Sequence, residues 1–148
     1  MKIDELDIKI LRELKKDARQ SFYDLASKLN VSEGTIYNRV SKLQDAKIIS
    51  NYSAMIDFSK LGYDISVIIG ISVEGNHLVD VEKKIAKEKN VSAVYDVTGE
   101  YDALVIAKFK TRAELDKFIK KLLSTKHVKR TYTMLILNVV KDINGVEF

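Results

Sequence analysis

The side chains best equipped for chemistry lie between Ser32 and Lys42, in the run Ser-Glu-Gly-Thr-Ile-Tyr-Asn-Arg-Val-Ser-Lys. At helical spacing Ile36, Val40 and Leu43 form one apolar stripe, leaving Gly34, Thr35, Asn38, Ser41 and Lys42 opposite it, with Tyr37 and Arg39 on the flanks. Ser32 precedes them as an N-cap, its hydroxyl able to accept from a free N–H of the first turn. These groups donate, accept and pair with phosphates, which is the chemistry of recognition. A helix of this kind fits the major groove of B-DNA: Asn38 can pair with adenine, Thr35 can touch a thymine methyl, and Arg39 and Lys42 can hold phosphates. An amphipathic hairpin with a merely solvated polar face shows the same stripe. The coincidence of turn, cap and small-residue packing favours the DNA-reading version.

Catalysis has far less to build on. His77 and His127 are distant in sequence, cysteine is absent, and no His/Cys/carboxylate spacing suits a metal. Neither a Gly-rich phosphate loop nor a nucleophile elbow is present. The expectation is a non-enzyme without a cofactor.

The elements that must position the candidate helix precede it. Phe22, Leu25, Ala26 and Leu29 recur at steps of three and four, and Asn30 tolerates the left-handed conformation that ends a helix. Ala26 supplies the small residue that a steep helix crossing needs. From Asp4 to about Asp17, Leu6, Ile10 and Leu14 stack on one face, widened by Ile3 and Leu11, with Asp4 and Glu5 favourable at the N-terminal end of the dipole. Residues 1–50 are therefore expected to form a three-helix, winged-type helix-turn-helix unit.

Residues 51–63 change period. Tyr52 to Phe58 alternates loosely, predicting a connector strand that pairs with its copy in another subunit and acts as a hinge, and Ser59 to Gly62 predicts a turn. Residues 64–148 then give strand 64–73, helix 77–89, strand 91–97, a turn at 98–102, strand 103–109, helix 111–124 and strand 131–140. That order is βαββαβ, a ferredoxin-like sandwich with both helices on one sheet face, so the whole chain is α+β. The other face would carry Ile68, Leu104, Ile106, Met134 and Ile136, too apolar for water. A second copy is the simplest cover. Such a homodimer would place two recognition helices about 34 Å apart on a near-palindromic site.

Composition sets outer limits. The chain has 148 residues, 46% hydrophobic, enough for one ordinary domain or two small ones. No apolar run approaches membrane-spanning length and the opening is too acidic for a signal peptide, so no membrane partner and a cytoplasmic location are expected. Twenty lysines stand against five arginines, with only two glutamines, a bias resembling thermophile usage. The net charge is +4, split evenly between residues 1–50 and the remainder, so charge alone does not announce a nucleic-acid binder.

With both halves in view, the chain resembles the leucine-responsive/asparagine-synthetase-regulator family, the Lrp/AsnC or feast/famine transcription regulators. The resemblance covers almost all of the chain. It rests on Leu6-Asp7-Ile-Lys-Ile-Leu11, Leu25-Ala26-x-x-Leu29-Asn-Val-Ser32, Arg39-Val40-x-x-Leu43 and Val97-Thr-Gly-Glu-Tyr-Asp102. Asn30 replaces a glycine common at the turn, and Glu33 replaces a frequent proline. The resemblance implies an N-terminal DNA-binding unit, dimerisation through the C-terminal domain, frequent octamers, and amino-acid effectors bound between dimers. On this chain the implied effector residues are Thr98, Gly99, Glu100, Tyr101 and Asp102 of the turn, and Thr131, Tyr132 and Thr133 of the last strand. Gly99 and its neighbours would offer N–H groups to a carboxylate, Asp102 would accept from an ammonium, and Tyr101 or Tyr132 would cover the side chain. Equally, Gly99 can simply supply a positive φ and Asp102 a hairpin cap. Two rivals differ in class from an effector-responsive regulator: a constitutive architectural DNA-binding protein, and an RNA-binding module, for which the sheet lacks aromatic stacking pairs.

Overall fold

Asp4 starts the first helix as half of a reciprocal capping box. The Asp7 N–H donates to Asp4 Oδ1 at 3.0 Å and the Asp4 N–H donates to Asp7 Oδ2 at 3.1 Å. Helix α1 (Glu5–Lys16) follows, then α2 (Phe22–Leu29) and α3 (Glu33–Asp45). Ser21 and Ser32 cap α2 and α3 through their hydroxyls, and Asn30 ends α2 at φ 54°, the left-handed conformation expected of it. The computed structural model describes residues 2–141 and divides into two compact units, one ending at Met55 and the other beginning at Ile56.

The N-terminal unit closes around Ile10, Leu14, Leu25, Ala26, Ile36, Val40 and Leu43, with Leu6 and Leu29 partly buried against them. Its one buried charge among the described residues is Asp7, at 0% exposure. A buried carboxylate must be paired, and Arg39 of α3 supplies the partner: its Nη1 lies 3.2 Å from each Asp7 oxygen and also donates to Asp4. One guanidinium thus ties the start of α1 to the middle of α3. Among the described residues no strand follows α3 within this unit, so the helical bundle has no wing of its own, contrary to the winged-type expectation.

The connector stands alone in the single chain. Residues 51–57 carry no strand, because within a single chain their backbone has no ladder partner. Met55 is 77% exposed and Ile56 55%. The turn after them is as anticipated, a 3-10 turn at Ser59–Leu61 ended by Gly62 at φ 83°.

The C-terminal unit runs β1 (Ile65–Val73), α4 (Leu78–Ile85), β2 (Val91–Asp96), β3 (Ala103–Phe109), α5 (Arg112–Leu123) and β4 (Val128–Leu135). The sheet is antiparallel with order β2-β3-β1-β4, the ferredoxin-like arrangement. Val67, Ile69 and Ile71 pair with Ala107, Val105 and Ala103 on the helix-covered face, where Val81, Ile85, Phe118 and Leu122 meet them. Alternate residues turn the other way. Ile68 pairs with both Ile106 and Met134, and Gly70 with both Leu104 and Tyr132, which builds the open apolar face.

Three boundaries move, in two elements. Helix α4 stops at Ile85 rather than Lys89, and β4 begins at Val128 and ends at Leu135 rather than spanning 131–140. The charges of Lys129 and Arg130 disguised the start of that strand, yet an edge strand accommodates charge well. Met1 and residues 142–148, the tail of the expected second domain, lie outside the described residues. Helix α5 is capped by Thr111, whereas α4 starts at His77 with no side-chain cap.

The two units give separate tests. Hydrogen bonds from the Asp7 N–H and then from Arg39 hold the Asp4 carboxyl below its ordinary 3.8. A depressed folded pKa gives stability that is complete above the ordinary value and is lost as pH falls through the lowered one. Arg39→Ala should therefore raise the pH of acid unfolding as well as lowering the thermal midpoint at neutral pH; an unchanged acid transition would disprove the tie. In the sheet, a Cβ on Gly70 would lie 2.7 Å from Tyr101 Cγ. Gly70→Ala should cost about 1–3 kcal/mol through overpacking, and most of that cost should vanish in a Tyr101→Ala background, as denaturant titration of the four proteins would measure.

Candidate nucleic-acid interface and open sheet face

Helix α3 is fixed by its buried stripe of Ile36, Val40 and Leu43, and this decides what it shows to solvent. Glu33, Gly34, Tyr37, Asn38 and Lys42 are exposed. Tyr37 also packs edge-on to Phe22 of α2, with ring centroids 6.1 Å apart, so it stands on the surface with a defined orientation. The Thr35 N–H donates to Ser32 Oγ at 3.1 Å and the two hydroxyls lie 2.8 Å apart. This engages the Thr35 hydroxyl in the cap and leaves its methyl group for apolar contact. Arg39, partly exposed on the flank, has its Nη1 engaged by Asp4 and Asp7. Nothing in the local sequence announces that pairing, because the carboxylates lie 32 and 35 residues upstream. The groups presented together are Gly34, Tyr37, Asn38 and Lys42.

The candidate effector residues split between the two faces of the sheet. Thr131 and Thr133 pair with Ile71 and Ile69 and so share the helix-covered side, while Tyr132 pairs with Gly70 and points to the open side. Tyr101 lies over Gly70 and stacks on Tyr132, with centroids 6.0 Å apart and planes 20° from parallel. Burial first, then the negative charge of Glu100, hold the Tyr101 phenol above its ordinary pKa. Glu100 lies 3.7 Å from Arg130, both well exposed. Gly99 adopts φ 122° with open space where a Cβ would stand.

Asp102 ties the turn between β2 and β3 to the end of β1. Its Oδ2 accepts from the Val73 N–H at 2.7 Å, and its own N–H donates to the Ile71 carbonyl at 2.9 Å. Tyr101, Tyr132 and the turn Thr98–Asp102 therefore cluster, whereas Thr131 and Thr133 stand behind the sheet from them. Gly70 is the member of this cluster that motif spacing does not single out. An isolated glycine inside a strand pattern is the signal that could have found it, since it marks close approach by another group.

A second juxtaposition joins residues that looked unrelated in sequence. His77 and His127 stack with centroids 3.5 Å apart and planes 13° from parallel, linking the β1–α4 and α5–β4 loops. Among the described residues no group of three His, Cys, Asp or Glu side chains is placed to hold a metal. None of the described helices is long and apolar enough to cross a membrane.

Comparison with known proteins agrees with this geometry in both units. Residues 3–44 match the AsnC-type helix-turn-helix domain, and residues 66–146 match the Lrp/AsnC ligand binding domain. A Pyrococcus furiosus protein described as an uncharacterised HTH-type transcriptional regulator is 46% identical over 142 residues, covering 96% of each chain. The solved structure of Escherichia coli AsnC superposes with a TM-score of 0.89 at 28% identity, covering 98% of this chain and 100% of that one. A Neisseria meningitidis transcriptional regulator, solved as its L-Met complex, has the same fold at TM-score 0.89 and 24% identity, covering 95% and 94% of the two chains. With a capped helix-turn-helix in one unit and a one-sided βαββαβ sandwich in the other, the chain belongs to the Lrp/AsnC family of helix-turn-helix transcription regulators.

Proposed function

We propose that this chain is a sequence-specific DNA-binding regulator that acts in the cytoplasm as a homodimer or a higher assembly such as an octamer, and answers to a small amino acid bound between dimers. The observation that carries the DNA-reading part is the solvent face of α3, where Tyr37, Asn38 and Lys42 stand exposed beside Gly34 while the apolar stripe is buried. Glycine there lets a groove wall approach the helix closely, and Asn38 presents the paired donor and acceptor that match an adenine edge. Ser32 and Thr35 hold the N-terminal turn in shape at the same surface.

Dimerisation is supported by two uncovered apolar surfaces. The open sheet face carries Ile68, Leu104, Ile106 and Met134 in neighbouring registers, and the connector carries the exposed Met55 and Ile56. A second copy would cover the first and give the connector the ladder partner it lacks. Two-fold symmetry of the protein would then be mirrored in a near-palindromic site.

The effector part is supported by the ligand-binding family match and by the L-Met complex of the Neisseria fold relative. On this chain it centres on Thr98, Gly99, Glu100, Tyr101, Tyr132 and the remaining oxygen of Asp102. Thr131 and Thr133 would act only from behind the sheet. An aromatic pair beside a turn rich in N–H groups suits a ligand with a carboxylate and a compact side chain.

Two experiments test these parts separately. In binding titrations, Asn38→Ala should lose about 1–3 kcal/mol of preference at one base pair per half-site, while Lys42→Ala should weaken cognate and random duplexes alike. A uniform loss for Asn38→Ala would mean that α3 docks in another orientation. For the effector, thermal unfolding against each of the twenty amino acids should reveal a responder. A ligand at about 100 times its dissociation constant adds about 2.7 kcal/mol, a shift of several degrees that Tyr101→Ala should abolish. If no amino acid shifts the midpoint, the DNA-reading part stands and the C-terminal unit is an assembly domain or one whose ligand is not a free amino acid.

A further inference from the structure

The helical layer of the C-terminal unit holds more positive charge than the DNA-reading helix. Residues 78–89 and 112–126, which make up α4, α5 and their C-terminal ends, contain nine Lys/Arg and five Asp/Glu. That excess equals the formal net charge of the whole chain, +4, so the remaining residues sum to zero. The layer's inward side is fully used by Val81, Ile85, Phe118 and Leu122 against the sheet. Its outward side is left with the lysines.

Their arrangement is ordered. Lys84 stands in the last turn of α4 and Lys87 in the turn that follows it, while Lys117 and Lys121 lie one helical turn apart on α5. Lys84, Lys87 and Lys121 line a cleft of about 310 Å³ between the two helices, floored by Ile85, Phe118 and Leu122. Lys121 is engaged with Glu88 at 2.6 Å and Lys120 with Asp116 at 2.6 Å. Lys84, Lys87 and Lys117 make no ion pair among the described residues, and all three are exposed. At the far end of the layer, burial first and then the charges of His77, Lys126 and Lys84 lower the His127 pKa, with Glu74 opposing them.

Three exposed, unpaired cations beside a shallow apolar floor do not form an enclosed pocket for a small anion. They match an extended polyanion, and duplex DNA presents about one negative charge per 1.7 Å of axis. We propose that the outer face of α4 and α5 is a second DNA contact, sequence-independent, in which Lys84, Lys87 and Lys117 neutralise backbone phosphates of duplex DNA. It rests on the reading of the chain as a DNA-binding regulator. It assigns to the C-terminal unit a role that neither base reading by α3 nor effector binding on the opposite sheet face includes.

The test uses the full-length protein and a long random-sequence duplex, with affinity measured across a range of salt. The triple variant Lys84→Gln/Lys87→Gln/Lys117→Gln should flatten the plot of log affinity against log salt by up to about 2.7, at about 0.9 for each phosphate that is no longer neutralised. Lys→Arg at the same three positions should restore the slope, which a merely folding-related loss would not do. A triple Gln variant with the slope of the parent overturns the proposal, and leaves these lysines for an acidic protein partner instead. Failure of the parent protein to bind any duplex would overturn the DNA-binding reading itself, a different result from parental binding with an unaltered slope.

Discussion

Everything in the C-terminal unit follows from one constraint: both helices of a βαββαβ chain fall on the same side of the sheet. A right-handed crossover leaves no helix for the other face. The helix-covered side is filled by Val67, Ile69, Ile71, Val105 and Phe109 against Val81, Ile85, Phe118 and Leu122. The opposite side must be apolar and uncovered, or polar and wet. In this sequence it is apolar, with Ile68, Ile106 and Met134 in direct register. The single chain leaves this face without a packing partner. The tyrosine pair over Gly70 borders this face, which puts a polar turn and an aromatic surface beside the place where another subunit would seat.

The N-terminal unit solves a different problem, holding a short recognition helix at a fixed attitude with a small core. Apolar packing through Ile36, Val40 and Leu43 sets its depth. Rotation about that stripe is set by Arg39, whose guanidinium bridges the buried Asp7 and the capping residue Asp4. A charge-assisted bond to a fully buried carboxylate is directional in a way that aliphatic contact is not. The cation that looked available for phosphate is the one that keeps the exposed Tyr37, Asn38 and Lys42 aimed.

Much of this was legible in the sequence, and the remainder divides by range. The helix start at Ser32 was visible because a cap acts on the backbone three residues away; Asp4 showed only its charge at the helix end, and the capping roles of Ser21 and Thr111 emerge from the structure. The open sheet face was visible because the side-chain period in a strand is two. By the same period Thr131 and Thr133 had to oppose Tyr132, although which side would face a ligand was not readable. The Arg39–Asp7 tie, the His77–His127 stack and the seating of Tyr101 on Gly70 were invisible, since each joins segments 31 to 50 residues apart and depends on side-chain reach rather than on pattern. The alternation of the connector predicts a strand paired with a second copy, and a strand shows only where its partner is present.

The missing cap on α4 has a consequence for motion. Among the described residues the other four α-helices begin with a side chain that satisfies an early N–H, whereas α4 begins at His77 with none and continues for only eight residues. Its first-turn amides have the least to lose on opening, and its buried contribution is confined to Val81 and Ile85. The sheet and α5 can stay folded while this helix frays. Hydrogen exchange will therefore enter the C-terminal unit through α4, making it the most labile edge of an otherwise cooperative sandwich.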